Sequence, residues 1–191
     1  MGYGIVMPIA QDWTAERARA LPGDGNRYEV LDGVLAVTPA PSWGHQHVAL
    51  AFARALDEYL RRHAIGRAIV APADVEFSPQ RLLEPDVFAT PLVEGRPPRA
   101  FSEVGRLLVA LEVLSPSTAR SDRITKRRIY LSESVGEYWI ADADARTVER
   151  WRAGQERPEV LDSVLRWEPV PGIPTLDLDI GALFAEALGE G

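Results

Sequence analysis

The sequence predicts a mixed α/β fold, in which helices pack on a central β-sheet. Three observations predict it. The most apolar run of the chain, Leu107 to Leu114, is too uniformly hydrophobic for a half-exposed strand and is typical of a central strand covered on both faces. Residues 42–63 carry apolar side chains with the period of a long amphipathic helix. Short strand-like segments bounded by turn residues surround both. A chain of 191 residues can bury a substantial core, and we expect a single domain over residues 1–191.

In the N-terminal half, local signals predict two helices, a hairpin and three short strands. Residues 12–21 have the composition of a short capped helix. Asp32-Gly33 is a strong type I′ turn signal between two strands. Ser42 is the expected N-cap of the long helix. The three further strands are expected at residues 67–71, 73–77 and 86–89.

In the C-terminal half, residues 91–106 are rich in Pro, Gly and Arg and predict a surface loop. The central strand then leads through a Ser/Pro/Thr turn into a helix. The expected elements after the central strand are a helix at about 119–133, a hairpin at 137–141 and 147–152, a strand at 159–166 and a helix at 179–188.

The composition excludes several classes of protein. The net charge of −7 argues against a broad nucleic-acid surface, although acidic residues gathered at a metal site contribute to that total. The absence of cysteine excludes disulfides and thiolate zinc sites. No segment approaches the roughly 18 to 20 apolar residues of a membrane span, and the N-terminus lacks the pattern of a secretory signal. We therefore expect a cytoplasmic protein with no membrane partner.

Two carboxylates occur where strands are predicted. Asp86 follows a proline at the start of a short apolar run, and Glu112 lies inside the most apolar run of the chain. If the two strands pair, the carboxylates converge at one end of the sheet, and hard oxygen ligands suit Mg²⁺ or Mn²⁺. The alternative is two ordinary acids facing solvent. That alternative is weaker for Glu112, because a carboxylate among apolar residues needs a partner.

Lys126 is the only lysine of the chain, whereas the other basic residues are arginines. Asp122, Lys126 and Tyr130 are spaced i, i+4, i+8 and share one face of the predicted helix. An exposed Asp–Lys pair is the simpler interpretation, since such pairs contribute only about 0.3–0.5 kcal/mol. The other interpretation directs the ammonium at the strand that carries Glu112, where it would hold a phosphate oxygen or orient water.

Other polar and aromatic residues carry weaker signals. His45 and His47 have i, i+2 spacing rather than the i, i+4 spacing of a helical zinc pair, so we expect helix N-terminal polar groups, one of which contacts the active site. Glu29, taken alone, is expected to face solvent from the hairpin. The five tryptophans are scattered along the chain, and we expect them in the core.

Taken together, the chain resembles the Uma-type restriction endonuclease family, a branch of the PD-(D/E)XK nuclease superfamily. The most specific match is EVLSPST followed by the D-x3-K-x3-Y of the next helix and by GEYW. The full set of matching segments, in the family's order, is YEVLDG at 28–33, HQ at 45–46, EPDVFAT at 84–90, EVLSPST at 112–118 and VGEYWIAD at 135–142.

The resemblance implies a mixed sheet flanked by helices, with a restriction-endonuclease-like core at about 28–152, an N-terminal helix and a C-terminal strand and helix as extensions. Asp86 then corresponds to the PD aspartate and Glu112 to the second acid. The superfamily's lysine usually lies two residues after that acid, where this chain has Leu114, so Lys126 on the following helix is its candidate. Glu29 resembles an additional upstream acid.

On this basis we predict Mg²⁺- or Mn²⁺-dependent hydrolysis of DNA phosphodiester bonds. Asp86, Glu112 and the Val113 carbonyl are the expected metal ligands, and Lys126 is expected to stabilise the phosphorus or position the water. The expected supporting residues are Glu29, Asp122, Tyr130, Gln46 and His45.

Two other functions stay open at this point. The first is a non-catalytic binding module with a nuclease-like fold, which the acidic net charge favours. The second is a metal-dependent hydrolase of RNA or nucleotides. A homodimer is also expected, because enzymes that cut both DNA strands often use two sites related by two-fold symmetry.

Overall fold

The computed structural model describes residues 12–133 and 135–189. The helices are α1 (Ala15–Arg19), α2 (Trp43–Arg62), α3 (Ala119–Ser121), α4 (Arg127–Ser132) and α5 (Ile180–Leu188). A π-helical turn, Asp122–Lys126, joins α3 to α4, and a 3₁₀ turn spans Phe101–Glu103. The strands are β1 (Arg27–Leu31), β2 (Val34–Thr38), β3 (Gly66–Val70), β4 (Val75–Ser78), β5 (Arg81–Leu83), β6 (Val87–Pro91), β7 (Leu107–Val113), β8 (Val135–Asp142), β9 (Thr147–Trp151), β10 (Glu159–Leu161), β11 (Val164–Trp167) and β12 (Leu176–Asp179).

A six-stranded mixed sheet forms the centre, in the order β10-β9-β8-β7-β6-β3. Strands β7 and β8 run parallel, and the neighbours β3/β6, β6/β7, β8/β9 and β9/β10 are antiparallel. A four-stranded antiparallel sheet has the order β2-β1-β5-β4, and β11 pairs with β12. The predicted fold class, a mixed sheet flanked by helices, is confirmed.

The central sheet is covered on both faces. On one face, α2 and α5 form a core with the sheet that includes Phe52, Leu111 and Phe184. On the other face, α4 and the four-stranded sheet form a second core that includes Leu83 and Ile129. Every residue of β7 is buried, as its uniformly apolar sequence predicts. Each large side chain that is removed from water here contributes about 1.5–3 kcal/mol.

Two local predictions near the site are confirmed by backbone geometry. The side chain of Ser42 accepts a hydrogen bond from the His45 N–H at 3.3 Å and caps α2. The β1–β2 turn has positive φ at both central residues, 52° at Asp32 and 80° at Gly33, as a type I′ turn requires. The cap and the turn therefore define the start of α2 and the connection between β1 and β2.

Other predictions of elements are wrong. The single strand expected at 159–166 is two strands, because the chain turns between β10 and β11 and each pairs in a different sheet. Strands β5 and β12 were not predicted, since three or four residues carry too little periodicity. The expectation that the tryptophans lie in the core fails for Trp43, which is 86% exposed at the first residue of α2.

The helix expected at about 119–133 is present, but it is not a regular α-helix. Its middle turn, Asp122–Lys126, is π-helical, and the N–H of Arg127 bonds to the Asp122 carbonyl five residues back. Among the described residues, no helix is both long and apolar enough to cross a lipid bilayer.

Candidate active site

The pairing of β6 with β7 brings the two predicted acids together. Val87 lies opposite Leu111 in this antiparallel pair, so one step further along the same register places Asp86 beside Glu112. The backbone N–H of Val113 donates a hydrogen bond of 2.8 Å to Asp86 Oδ2. Both side chains are buried, at 3% and 2% exposure. The convergence of carboxylates that the sequence predicted is therefore present at the end of these strands.

Glu112 is buried because strand alternation turns it toward the four-stranded sheet. Leu111 and Val113, on the opposite face of β7, pack in the core beneath α2. The carboxylate of Glu112 instead accepts two hydrogen bonds at Oε1, from Lys126 Nζ at 3.1 Å and from the Tyr130 hydroxyl at 2.9 Å. These donors satisfy a charge that would otherwise be costly in this interior.

Lys126 is enclosed by three carboxylates. Its Nζ lies 2.8 Å from Glu29 Oε2, 3.1 Å from Glu112 Oε1 and 3.7 Å from Asp122 Oδ1. The residue is only 3% exposed, so the interpretation as an exposed Asp–Lys helix pair is wrong. Both Asp122 and Lys126 lie on the buried side of the π-helical turn.

Glu29 does not face solvent, contrary to the expectation from its hairpin alone. It is 2% exposed on β1, and its Oε1 accepts a hydrogen bond of 3.0 Å from the backbone N–H of Glu84. Its other oxygen contacts Lys126. The structure thus brings the additional upstream acid to the same cluster as Glu112.

Two buried tyrosines support this cluster from below. Tyr130, on α4, donates its hydroxyl to Glu112, as described above. Tyr138, on β8, donates its hydroxyl to the backbone carbonyl of Asp122 at 3.1 Å and so ties the π-helical turn to the central sheet. Burial raises the pKa of both hydroxyls well above the usual range, with Glu112 as the next cause, so both stay protonated donors.

Both oxygens of Asp86 have basic side chains as neighbours. Arg27 Nη1 donates to Oδ1 at 2.9 Å, and His45 Nε2 lies 3.0 Å from Oδ2. Burial alone would raise the pKa of this carboxyl, but His45, Arg27 and the Val113 N–H together lower it to about 2. Asp86 is therefore ionised at neutral pH.

The pKa values of three other charged groups in the cluster are raised, whereas that of Asp86 is lowered. Burial raises the pKa of Glu112 well above the usual range, and the nearby charges of Asp86, Asp122 and Glu29 raise it further, against Lys126. Burial also raises the pKa of Asp122. Burial would lower the pKa of Lys126, but its three carboxylate neighbours raise it well above the usual range. The cluster holds more carboxylates than cations, which is an environment that favours a further cation.

A cavity of about 610 Å³ opens onto the acids. Asp86, Glu112, Val113 and Lys126 line its inner end. The loop before α2 and the Ser/Pro/Thr turn after β7 form its sides. Asp142 and Asp144, from the β8–β9 turn, lie on its rim. A cavity of this size accommodates one small ligand or a short piece of a longer one.

The structure brings most of the predicted site residues together. Asp86, Glu112, Val113, Lys126 and His45 all line the cavity. Glu29, Asp122 and Tyr130 lie behind it, in contact with Lys126 or Glu112. Gln46 does not join them, because its position on α2 turns it outward and its side chain is exposed.

Sequence reasoning missed three residues of the site. Arg27 contacts both Asp86 and Glu84, the latter through Nε at 2.8 Å. Tyr138 anchors the π-helical turn. Arg27 stands directly before the YEVLDG segment, Glu84 opens EPDVFAT and Tyr138 lies in GEYW, so the matching segments themselves were the available signal.

The donor set fits a hard divalent cation. Asp86 and Glu112 bring carboxylates from neighbouring strands to one cavity, which Val113 also lines. Among residues 12–133 and 135–189, no three His, Asp or Glu side chains form a complete ligand cluster. Water or a substrate oxygen would therefore complete the coordination, as is usual for Mg²⁺.

A family model described as "Putative restriction endonuclease", Uma2, matches residues 15–181, which is most of the chain. The chain belongs to the Uma2 family. The resemblance that the motifs indicated is thereby confirmed. The matched range includes every acid of the site, Lys126 and both tyrosines.

A solved structure from Anabaena variabilis, described as "a putative nuclease belonging to DUF820", has the same fold. The TM-score is 0.74 at 22% sequence identity, and the match covers 91% of this chain and 98% of that one. A search of curated proteins finds no match to the chain. The chain thus belongs to a family described as "Putative restriction endonuclease" and shares its fold with a protein described as "a putative nuclease".

Proposed function

We propose that this Uma2 protein is an endonuclease that hydrolyses DNA phosphodiester bonds with the help of Mg²⁺ or Mn²⁺. The observation that carries the proposal is the convergence of Asp86 and Glu112 on one cavity, with Lys126 bonded to Glu112. Nucleases of the restriction-endonuclease type generally use divalent metals, and the two carboxylates supply suitable ligands.

Each residue then has a role that follows from its contacts. Asp86 and Glu112, with the Val113 carbonyl, hold the cation, which when bound lowers the pKa of water and stabilises charge on the phosphoryl group. Lys126 keeps Glu112 in place and stabilises the phosphate as negative charge builds on it. Asp122 and Tyr130 position Lys126 and Glu112.

Arg27 and His45 act on the other side of the reaction centre. Both contact Asp86 and both line the cavity, so each also lies within reach of an anionic substrate there. Glu29 fixes the lysine by the shortest of its contacts and is a positioning residue. Gln46, which is exposed outside the cavity, has no role in this scheme.

The test combines metal binding with cleavage. Calorimetric titration with Mn²⁺ should show binding to the wild type and none to Asp86→Asn or Glu112→Gln. Supercoiled DNA should be nicked or linearised by the wild type and left intact by both variants. Asp144→Asn is the matched control, since this acid lies on the cavity rim but outside the proposed ligand set. Equal cleavage by all four proteins contradicts the proposal.

A non-catalytic interaction module is the second candidate, and one observation favours it. Both oxygens of Asp86 already have protein partners, Arg27 on Oδ1 and His45 with the Val113 N–H on Oδ2. A folded wild type that neither binds Mn²⁺ nor cleaves DNA would support this candidate. Cleavage of RNA or nucleotides in place of DNA would support the hydrolase with that other substrate.

We further propose that residues 1–191 form a single domain and that two copies act as a homodimer, because two sites related by symmetry can cut both strands. Light scattering on the purified protein measures the number of copies. The cytoplasmic location stays a prediction.

A further inference from the structure

Two cavities meet at the candidate active site. The first, of about 610 Å³, contains the acids, and the second, of about 830 Å³, lies between β2 and the π-helical turn. Residues common to the linings of both are Thr38, Pro39, Ser117, Thr118 and Lys126. The cavities are therefore two halves of one cleft, which we call the Lys126 cleft, with the lysine near its middle.

The shape of the Lys126 cleft fits a strand rather than a small molecule. A nucleotide or a metabolite needs one pocket, whereas a polymer cut in its middle needs a path on both sides of the reacting bond. Each half lies within the range of about 300–1,000 Å³ typical of pockets for a single small ligand. Each half therefore has room for a nucleotide or two of one strand and not for a duplex.

Trp43 lies next to one end of the cleft, although it is not itself among the residues that line it. Its neighbours in sequence, Ser42 and Gly44, both line the half that contains the acids. The indole is 86% exposed, and among the described residues no aromatic ring or guanidinium stacks on it. The capped N-terminus of a helix holds its backbone in place. Such an uncovered ring beside a polar cavity is suited to stacking against a flat ligand.

The second half of the cleft contains two exposed apolar side chains. Val37, on β2, is 45% exposed, and Ile124, on the π-helical turn, is 53% exposed, and both line the second half. Arg120 lines the same half and forms no ion pair with any described residue. Apolar side chains at both ends and few unpaired cations between them indicate that contacts with bases, more than with phosphates, hold the ligand.

We propose that the Lys126 cleft binds a single strand of nucleic acid, with one unpaired base stacked on Trp43. This inference rests on the proposed function, because it assigns the strand that the acids would cut. The overall charge of −7 weakens phosphate contacts to a single strand and to a duplex alike, whereas stacking on an exposed aromatic ring needs an unpaired base and so favours the single strand. The bases on the far side of the cut lie against Val37 and Ile124.

Binding is measured with fluorescein-labelled 12-nucleotide strands of DNA and of RNA, and with the matching DNA duplex, in EDTA so that cleavage does not interfere. The wild type should bind a single strand at least about tenfold more tightly than the duplex. Trp43→Ala should lose about tenfold or more of the single-strand affinity, and Trp43→Phe should keep most of it. The DNA and RNA arms show which sugar the cleft accepts.

Leu50→Ala is the matched control, because Leu50 is an exposed apolar residue of the same helix whose sequence neighbours, Ala49 and Ala51, do not line the cleft. Equal single-strand binding by the wild type and Trp43→Ala overturns the inference, even if DNA is cleaved. A wild type that prefers the duplex also overturns it. Single-strand binding that depends on Trp43, in a protein that cleaves nothing, supports the inference while the proposed hydrolysis fails.

Discussion

The backbone N–H of Val113 donates a hydrogen bond of 2.8 Å to Asp86 Oδ2. This bond joins two strands beyond their last regular pair, at the point where both acids of the candidate site lie. It fixes the Glu112–Val113 peptide and so holds the carboxylate of Asp86 beside Val113, the residue whose carbonyl is the proposed ligand. The ends of β6 and β7 therefore form one unit, and the side chains of Arg27, His45 and Lys126 contact it from other elements.

Lys126→Met should strongly destabilise the fold. The change leaves Glu29, Glu112 and Asp122 buried without their common cation, and removal of one partner from a buried ion cluster costs about 3–5 kcal/mol. Urea unfolding at neutral pH measures the loss. Arg128→Met, on the same helix, is the control, because the Arg128 side chain is mostly exposed and its ion pair contributes about 0–1 kcal/mol. Equal losses in the two variants would contradict the role of Lys126.

The stability of Glu112→Gln relative to the wild type should increase as the pH rises. Because the pKa of Glu112 is raised in the folded state, the wild type binds more protons folded than unfolded and loses stability as the pH increases from about 4.3, the unfolded value for glutamate. Glutamine does not titrate. The unfolding free energy of the variant minus that of the wild type should therefore increase with pH until the folded pKa is passed. A difference that decreases with pH would contradict the raised pKa.

The variants Tyr138→Phe and Tyr130→Phe should lose different amounts of stability, because one hydroxyl bonds to a neutral carbonyl and the other to a carboxylate. The first removes a hydrogen bond to the neutral carbonyl of Asp122, worth about 0.5–1.5 kcal/mol. The second removes a hydrogen bond to the carboxylate of Glu112, worth about 1.5–3 kcal/mol. Urea unfolding should show the larger loss for Tyr130→Phe. If Tyr138→Phe costs more, the anchoring of the π-helical turn is the stronger of the two contacts.

Arg27→Met should raise the affinity for Mn²⁺. The guanidinium lies 2.9 Å from Asp86 Oδ1, so it repels a cation at that carboxylate and occupies one of its oxygens. Removal of this charge should increase affinity by about tenfold or more, measured by calorimetry. Arg27→Lys keeps the charge and is the matched control. Unchanged affinity in Arg27→Met, with the fold confirmed by circular dichroism, would show that the cation does not bind beside Asp86.

Glu112 and Lys126 could be predicted because each is an unusual residue type for its part of the sequence. Glu112 is a charge inside the most apolar strand of the chain, and Lys126 is a single lysine in a chain rich in arginine. Arg27 could not be recognised in this way, since it is one of 20 arginines and its partner Asp86 lies 59 residues further along the chain. Its role depends on the pairing of distant elements, which local patterns do not contain.

Whether a side chain near the site is buried or exposed was harder to predict than whether it belongs to the site. Glu29 alternates with apolar neighbours as a solvent-facing acid would, yet it is buried because Lys126 and the Glu84 backbone cover it. Trp43 was expected in the core and is exposed, because the helix cap at Ser42 fixes its direction regardless of its hydrophobicity. In both cases a tertiary neighbour, or its absence, decides the outcome.

The π-helical turn has a consequence for the comparison of related sequences. The acids are placed by the register of β6 and β7, whereas the lysine is placed by a separate helix that follows a turn. Relatives with the same site should therefore tolerate insertions between Val113 and Asp122. A single deletion between Lys126 and Tyr130 would change their spacing on the helix and separate the lysine from the tyrosine. A family signature should accordingly fix the spacing Asp-x3-Lys-x3-Tyr and leave its distance from Glu112 variable.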